Sequence, residues 1–167
     1  MELKDYLELH DPKILNLGCG KTKPPEHYGI DIQDAVGVDR VWDLTQGIPI
    51  LGELFDVVEA RDFLEHIPQG KPCVYIMEEI YRVLKPGGEL RALVPSTSGN
   101  NIGAFQDPYH VSFWNKTKFW YFLDDKFGNG FRSLSNIKCW FEPLILQTFD
   151  NQFDVTYIQA VLKKGIK

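Results

Sequence analysis

The sequence predicts an α/β fold, a doubly wound and mostly parallel sheet of about seven strands with an antiparallel strand at one edge. Three observations carry this reading. Short β-rich runs alternate with longer helical ones, the pattern of a parallel sheet covered by helices. The first run ends at a glycine-bearing turn, Gly18-Cys19-Gly20, and the second ends in an acid, Asp31. The length, 167 residues, suits one domain spanning 1–167 that needs no disulfide or metal staple.

In chain order, Leu3, Tyr6 and Leu7 fall at helical spacing and predict a short leading helix over 3–9. Ile14 to Leu17 reads as a buried strand, His27 to Ile32 as a second and Asp39 to Leu44 as a third. Phe55 to Ala60, rich in β-branched and aromatic residues, is a fourth. From Pro72 to Leu84 the period changes: Cys73, Ile76, Met77, Ile80 and Leu84 share one helical face, and Glu78 stands one turn before Arg82, placed to pair with it. Lys85-Pro86-Gly87-Gly88 stops that helix, and Glu89 to Pro95 is a fifth strand. A polar stretch over 96–103 leads to an aromatic helix over 114–122, whose rings should be mostly core with one or two walling a pocket. Two β-like runs, 139–149 and 155–163, predict an antiparallel edge pair. Between the first two strands lie only about ten residues, whereas a parallel crossover normally takes a dozen or more. Two of them, Pro24 and Pro25, are hostile to a helix interior, so the first crossover helix is expected to be shortened or missing.

Composition narrows the function classes. A net charge of −5 gives no general attraction for a phosphate backbone, which argues against nucleic acid as partner. No apolar run approaches the ~20 residues that span a bilayer. The first thirteen residues, Met1 to Lys13, are charged throughout, unlike a secretory signal or an Arg-rich transit peptide. Cys19, Cys73 and Cys139 are far apart, with neither a CxxC pair nor zinc-ligand spacing. A reducing, cytoplasmic location and no metal site are expected.

Three features carry chemistry. The turn Gly18-Cys19-Gly20 lets backbone approach a ligand with no Cβ in the way, or is simply a tight turn of small residues. Asp31 closes the next strand, where a carboxylate accepts both hydroxyls of a ribose; the bland alternative is a surface Asp at a strand end. Asp43-Leu44 closes the third strand, either framing an adenine or starting the turn through Thr45-Gln46-Gly47.

With these in place the chain resembles the class I S-adenosylmethionine-dependent methyltransferases, especially small type-11-like members. The matching pieces are LNLGCG at 15–20, GIDI at 29–32, DL at 43–44, FDVVEARDFLEHIP at 55–68 and EEIYRVLKPGGELRALVPS at 78–96. The resemblance implies a Rossmann-like fold, with 14–96 as the cofactor half and 97–167 as the acceptor half. It implies S-adenosylmethionine as cofactor, with Gly18, Cys19 and Gly20 around its methionine part, Asp31 at the ribose, Asp43 and Leu44 at the adenine, and Ile32 also in the cofactor-binding set. Ala60, Arg61 and Asp62 would lie against the methionine or the sulfonium. The missing first crossover helix departs from the family pattern.

Asp107-Pro108-Tyr109-His110 lacks the second proline of the motif used by amino-methylating DNA enzymes and follows the fifth strand rather than the fourth, so that reading is rejected. The stretch resembles the D-P-x-H segment of type-11-like relatives, which makes His110 the candidate general base and Asp107 its orienter or a substrate ligand. The alternative for His110 is a histidine fixing its loop. His66, in Leu64-Glu65-His66, is expected to pack under the site. The acceptor is expected to be a small molecule, a sugar or a peptide group rather than nucleic acid or membrane. Two competing readings are a non-catalytic binding module and a nicotinamide-dependent oxidoreductase, the latter weakened by the absence of a full GxGxxG turn.

Overall fold

The computed structural model describes residues 13–99 and 103–166, so the helix expected over 3–9 lies outside the described residues. The chain forms a seven-stranded sheet in the order β3-β2-β1-β4-β5-β7-β6. The strands are β1 Ile14–Leu17, β2 Tyr28–Asp31, β3 Arg40–Val41, β4 Phe55–Arg61, β5 Leu84–Pro95, β6 Phe141–Asp150 and β7 Thr156–Lys164. The helices are α1 Lys71–Val83, α2 Lys116–Phe119 and α3 Asp125–Ser135, with 3-10 turns at Leu44–Gln46, Leu64–His66, Gly103–Phe105 and Trp120–Phe122.

Strands β1 to β5 pair in parallel, and β7 runs antiparallel to both β5 and β6. The antiparallel strand is therefore second from the edge, not outermost. The chain reaches the edge in β6 and folds back through a tight turn in which Asn151 N donates to Val155 O (3.0 Å), seating β7 between β5 and β6. Burial follows: β7 alternates buried and half-buried residues along its length, while β6 is mostly exposed.

No helix joins β1 to β2. β1 has four residues, a span of roughly 13 Å, and about ten extended residues reach back along it with length to spare. Lys23 covers the face left bare. Its stem lies over Gly29, where a Cβ would collide with Lys23 and with the Cys19 sulfur. The buried Lys23 ammonium donates to His27 O (2.6 Å) and pairs with Asp39 (3.2 Å), whose other task is to accept from Gly29 N (2.7 Å). A buried cation is tolerated only when so satisfied.

In α1 the buried residues are Cys73, Ile76, Met77, Ile80 and Val83, one face at a period near 3.6. The expected Glu78–Arg82 pair does not form. Arg82 bonds Glu79 (2.6 Å) and donates to Ile50 O (2.7 Å) and Ile48 O (2.9 Å), while Glu79 accepts from Ile48 N (2.8 Å). This ties α1 to the irregular link between β3 and β4. Glu78 instead accepts from Lys138 N (2.8 Å). Lys85-Pro86-Gly87-Gly88 bulges from the start of β5, so that Phe55 pairs with Leu84 but Val57 with Glu89.

The aromatic stretch after β5 divides in two. Trp114, Phe119 and Phe122 are core, and after an extended break at Leu123 and Asp124 a second helix follows as α3, which the sequence did not suggest. Gly128 explains this: a Cβ there would meet Leu123 O and Trp120 O at 2.5 Å, so a poor helix former is needed where α3 meets the preceding turn.

Candidate functional site

A cavity of about 750 Å³ opens at the carboxyl ends of β1 to β4. It lies where the sheet order reverses between β1 and β4, the switch point at which open α/β sheets bind ligands. Each strand delivers its own group to the wall: Gly18 and Gly20 after β1, Asp31 and Ile32 at the end of β2, Trp42, Asp43 and Leu44 after β3, and Asp62 and Phe63 after β4. His66 and Ile67 extend the wall, and Asp107 and Tyr109 reach it from the segment after β5.

The glycine turn is built for close approach. Gly18 has φ +63°, and a Cβ there would stand 2.8 Å from Phe63 Cδ2. Gly18→Ala is expected to lower the unfolding free energy by ~1–3 kcal/mol from backbone strain alone, read from urea denaturation. An unchanged midpoint would remove the strain argument. Gly20, at φ +56° with open space around it, is a conformational glycine only.

Asp31 is fixed from two sides: Gly20 N donates to Oδ2 (2.9 Å) and Gln33 N to Oδ1 (2.9 Å). Each oxygen keeps acceptor capacity for a ligand. Asp43 does start its turn. It accepts from Thr45 Oγ1 (2.7 Å), Thr45 N (2.9 Å) and Gln46 Nε2 (3.3 Å), and the Thr45 hydroxyl, with that amide, holds its carboxyl below the usual range. Asp62 adopts φ +47°, a strained conformation for a non-glycine residue at the mouth of a site. Burial first, and then its neighbour Asp62, which accepts its hydrogen bond, push the Tyr157 hydroxyl up to about 12.

Four acids, Asp31, Asp43, Asp62 and Asp107, face one lysine, Lys21, around the cavity. A cleft lined by one sign concentrates ligands of the other. This one favours a cationic centre and opposes a pyrophosphate.

Four expected site residues are not on the wall. Cys19 packs beneath the turn, its thiol pushed up to about 11 by burial and then by the Asp31 charge. Ala60 is fully buried within β4, and Arg61, its last residue, is exposed outside the cavity. His110 stands behind His66, the two rings edge to face at 5.0 Å. Its Nδ1 faces Ala104 O (2.9 Å), and its Nε2 is 3.8 Å from Asp107. Asp107, which does face the cavity, accepts from Tyr109 N (2.8 Å). None of the rings of 113–122 lines the cavity. Its aromatic faces are Trp42, Phe63 and Tyr109, each adjacent in sequence to an expected site residue.

The sequence shows no metal-ligand spacing, yet the fold brings Glu65, His66 and His110 together, with their ligand atoms all within 4.8 Å of one another. Glu65 is buried, and among the described residues neither carboxylate oxygen has a hydrogen-bond partner on another residue. Burial raises its carboxyl to about 8, with a smaller push from Asp62 and Asp107.

The fold is that of the class I S-adenosylmethionine-dependent methyltransferases. A methyltransferase from Methanosarcina mazei superposes with a TM-score of 0.65 at 14% identity, covering 100% of both chains. The 1,6-didemethyltoxoflavin-N1-methyltransferase of Burkholderia thailandensis, solved with its substrate and S-adenosylhomocysteine, gives 0.63 at 12% identity over 97% of this chain and 76% of that one. The N-methyltransferase NodS of Bradyrhizobium japonicum, solved with S-adenosylhomocysteine, gives 0.59 at 13% identity over 90% and 76%. No curated protein matches the sequence significantly. Residues 15–92 match the family model for a methyltransferase domain. Among the described residues no helix is long and apolar enough to cross a membrane.

Proposed function

We propose that this chain transfers a methyl group from S-adenosylmethionine to a small-molecule acceptor. The observation that carries the reading is the acidic cavity at the switch point, with Asp31 held at the end of β2 by two backbone amides. When bound, the cofactor supplies an electrophilic methyl on a sulfonium; the chain's own task is to bind, orient and exclude water. Asp31 receives the ribose hydroxyls, Asp43 and Leu44 border the adenine beside Trp42, and Gly18 and Gly20 leave room for the methionine part. Asp62 and Asp107 place negative charge where a cation has to be held.

Catalysis by such a site is largely positioning, which supplies ~7–11 kcal/mol when the reacting atoms are held near attack. A base is required only for a protonated acceptor. His66 and Asp107 are ionisable residues of the wall that could take such a proton, and His110 stands behind His66. The acidic wall and the net charge of −5 favour a small acceptor over a polyphosphate chain.

A thermal melt with S-adenosylhomocysteine, against NAD as control, tests the cofactor assignment. Ligand at a hundred times its dissociation constant adds ~2.7 kcal/mol, a rise of roughly 5–11 °C for a domain of this size. A rise with the homocysteine compound alone is expected. No rise at millimolar ligand, or an equal rise with NAD, overturns the assignment.

A further inference from the structure

Glu65 is 2% exposed, and among the described residues neither of its carboxylate oxygens has a hydrogen-bond partner on another residue. A buried polar group left so is costly and calls for an explanation. The carbonyl of Glu65 accepts from Val111 N (2.9 Å) and Ser112 N (3.0 Å), which locks the Leu64–His66 turn against the segment that carries His110. The side chain is the part left over, and the groups beside it are the imidazoles of His66 and His110.

Both imidazoles are oriented the same way. His66 Nδ1 faces Tyr109 O (3.2 Å) and His110 Nδ1 faces Ala104 O (2.9 Å). A carbonyl oxygen only accepts, so each Nδ1 donates and each Nε2 is left to another partner, that of His110 lying 3.8 Å from Asp107. Ligating histidines are held in this way, with the far nitrogen donating to a carbonyl that fixes tautomer and ring plane. The three residues therefore offer two imidazole nitrogens and one buried carboxylate.

We propose that Glu65, His66 and His110 form a binding site for one divalent first-row transition cation of the zinc type, beside the cofactor cavity and opening to it through His66. Two imidazoles and a carboxylate suit such an ion better than magnesium or calcium, which prefer oxygen donors. Three protein ligands leave the remaining positions open. Ligand atoms around a cation at ~2.0–2.1 Å stand about 3.3 Å apart when tetrahedral. The ligand atoms of the trio all lie within 4.8 Å of one another, and a rotation of the exposed His66 side chain closes the remaining gap.

The test uses the full chain, stripped with EDTA and titrated with Co²⁺ in the absence of cofactor. Visible d–d bands that saturate at one equivalent and are abolished by Zn²⁺ are expected. Glu65→Gln keeps the volume of the buried side chain, and His66→Ala alters an exposed one. Each is expected to weaken binding 10–100-fold or more while circular dichroism stays native. No saturable band, or equal affinity in both folded variants, overturns the proposal. The melt with S-adenosylhomocysteine in EDTA is read separately, so the cation site and the cofactor assignment stand or fall independently.

Discussion

Trp114→Ala is expected to lower the unfolding free energy by about 3–5 kcal/mol, the range for removing a large buried aromatic. Trp114 is fully buried and joins three parts of the fold. Its ring packs on Phe119 with centroids 4.8 Å apart and carries Lys118 Nζ 4.0 Å above it. Its indole nitrogen donates to Ser112 Oγ (3.0 Å), which in turn donates to Leu64 O (2.9 Å). Its own carbonyl accepts from Thr97 N (2.8 Å), just beyond β5. Removal leaves a void and takes away a donor in a buried polar group, which adds to the packing loss. At roughly 2–4 °C per kcal/mol the melting point falls by about 6–20 °C. Because Leu64 begins the turn that places His66 on the cavity wall, cofactor affinity should fall with it. Trp114→Phe separates the two effects: it keeps most of the ring and loses only the indole donor. A fall of under 1 kcal/mol in Trp114→Ala sinks the account of Trp114 as the joint between the sheet and the segment after β5.

That joint is also the reason part of the site escapes a linear reading. The groups at strand ends, Gly18, Gly20, Asp31 and Asp43, were legible because parallel topology alone delivers them to one edge of the sheet. Helix α1 was legible because five buried residues repeat at one period. Glu65, His66 and His110 have no such rule. Their meeting depends on hydrogen bonds from Val111 and Ser112 to Glu65 O, across more than forty residues of chain. The rings of Trp42, Phe63 and Tyr109 were hidden for another reason. Each adjoins an expected site residue, but whether a ring faces ligand or core is decided by its rotamer and not by its position. Helix α3 was masked by Gly128 and Gly130, whose low helix propensity outweighs a pattern that tertiary packing rescues. β3 is two residues long, against a longer expectation, because Asp43 spends its carboxylate on Thr45 and Gln46 and turns the chain early.

Asp31→Ala is expected to weaken S-adenosylhomocysteine binding by a factor on the order of 10²–10⁴ while leaving the fold intact. The first part rests on two ligand hydroxyls donating to one carboxylate, at ~1.5–3 kcal/mol for each hydrogen bond to a charged group. The second rests on what Asp31 holds in the protein. Its partners are the amides of Gly20 and Gln33, on a turn and a loop that border the cavity, where water replaces the lost oxygen. The cost to stability is then about 1–2 kcal/mol. Calorimetric titration and a melt measured on the same sample distinguish a ligand-binding acid from a structural one. A large loss of affinity with a small loss of stability assigns Asp31 to the ribose. The reverse pattern, a collapsed melting point with affinity unchanged in the folded fraction, would make Asp31 the clasp of the glycine turn and move the ribose anchor elsewhere on the wall. Asp31→Asn sharpens the test, since it keeps an acceptor but removes the charge. If charge on the wall governs affinity for a cationic ligand, the asparagine variant should bind S-adenosylmethionine less well than S-adenosylhomocysteine in proportion to wild type. The sulfonium is the one difference in charge between those two ligands, so the ratio of the two affinities reads the field of the wall directly.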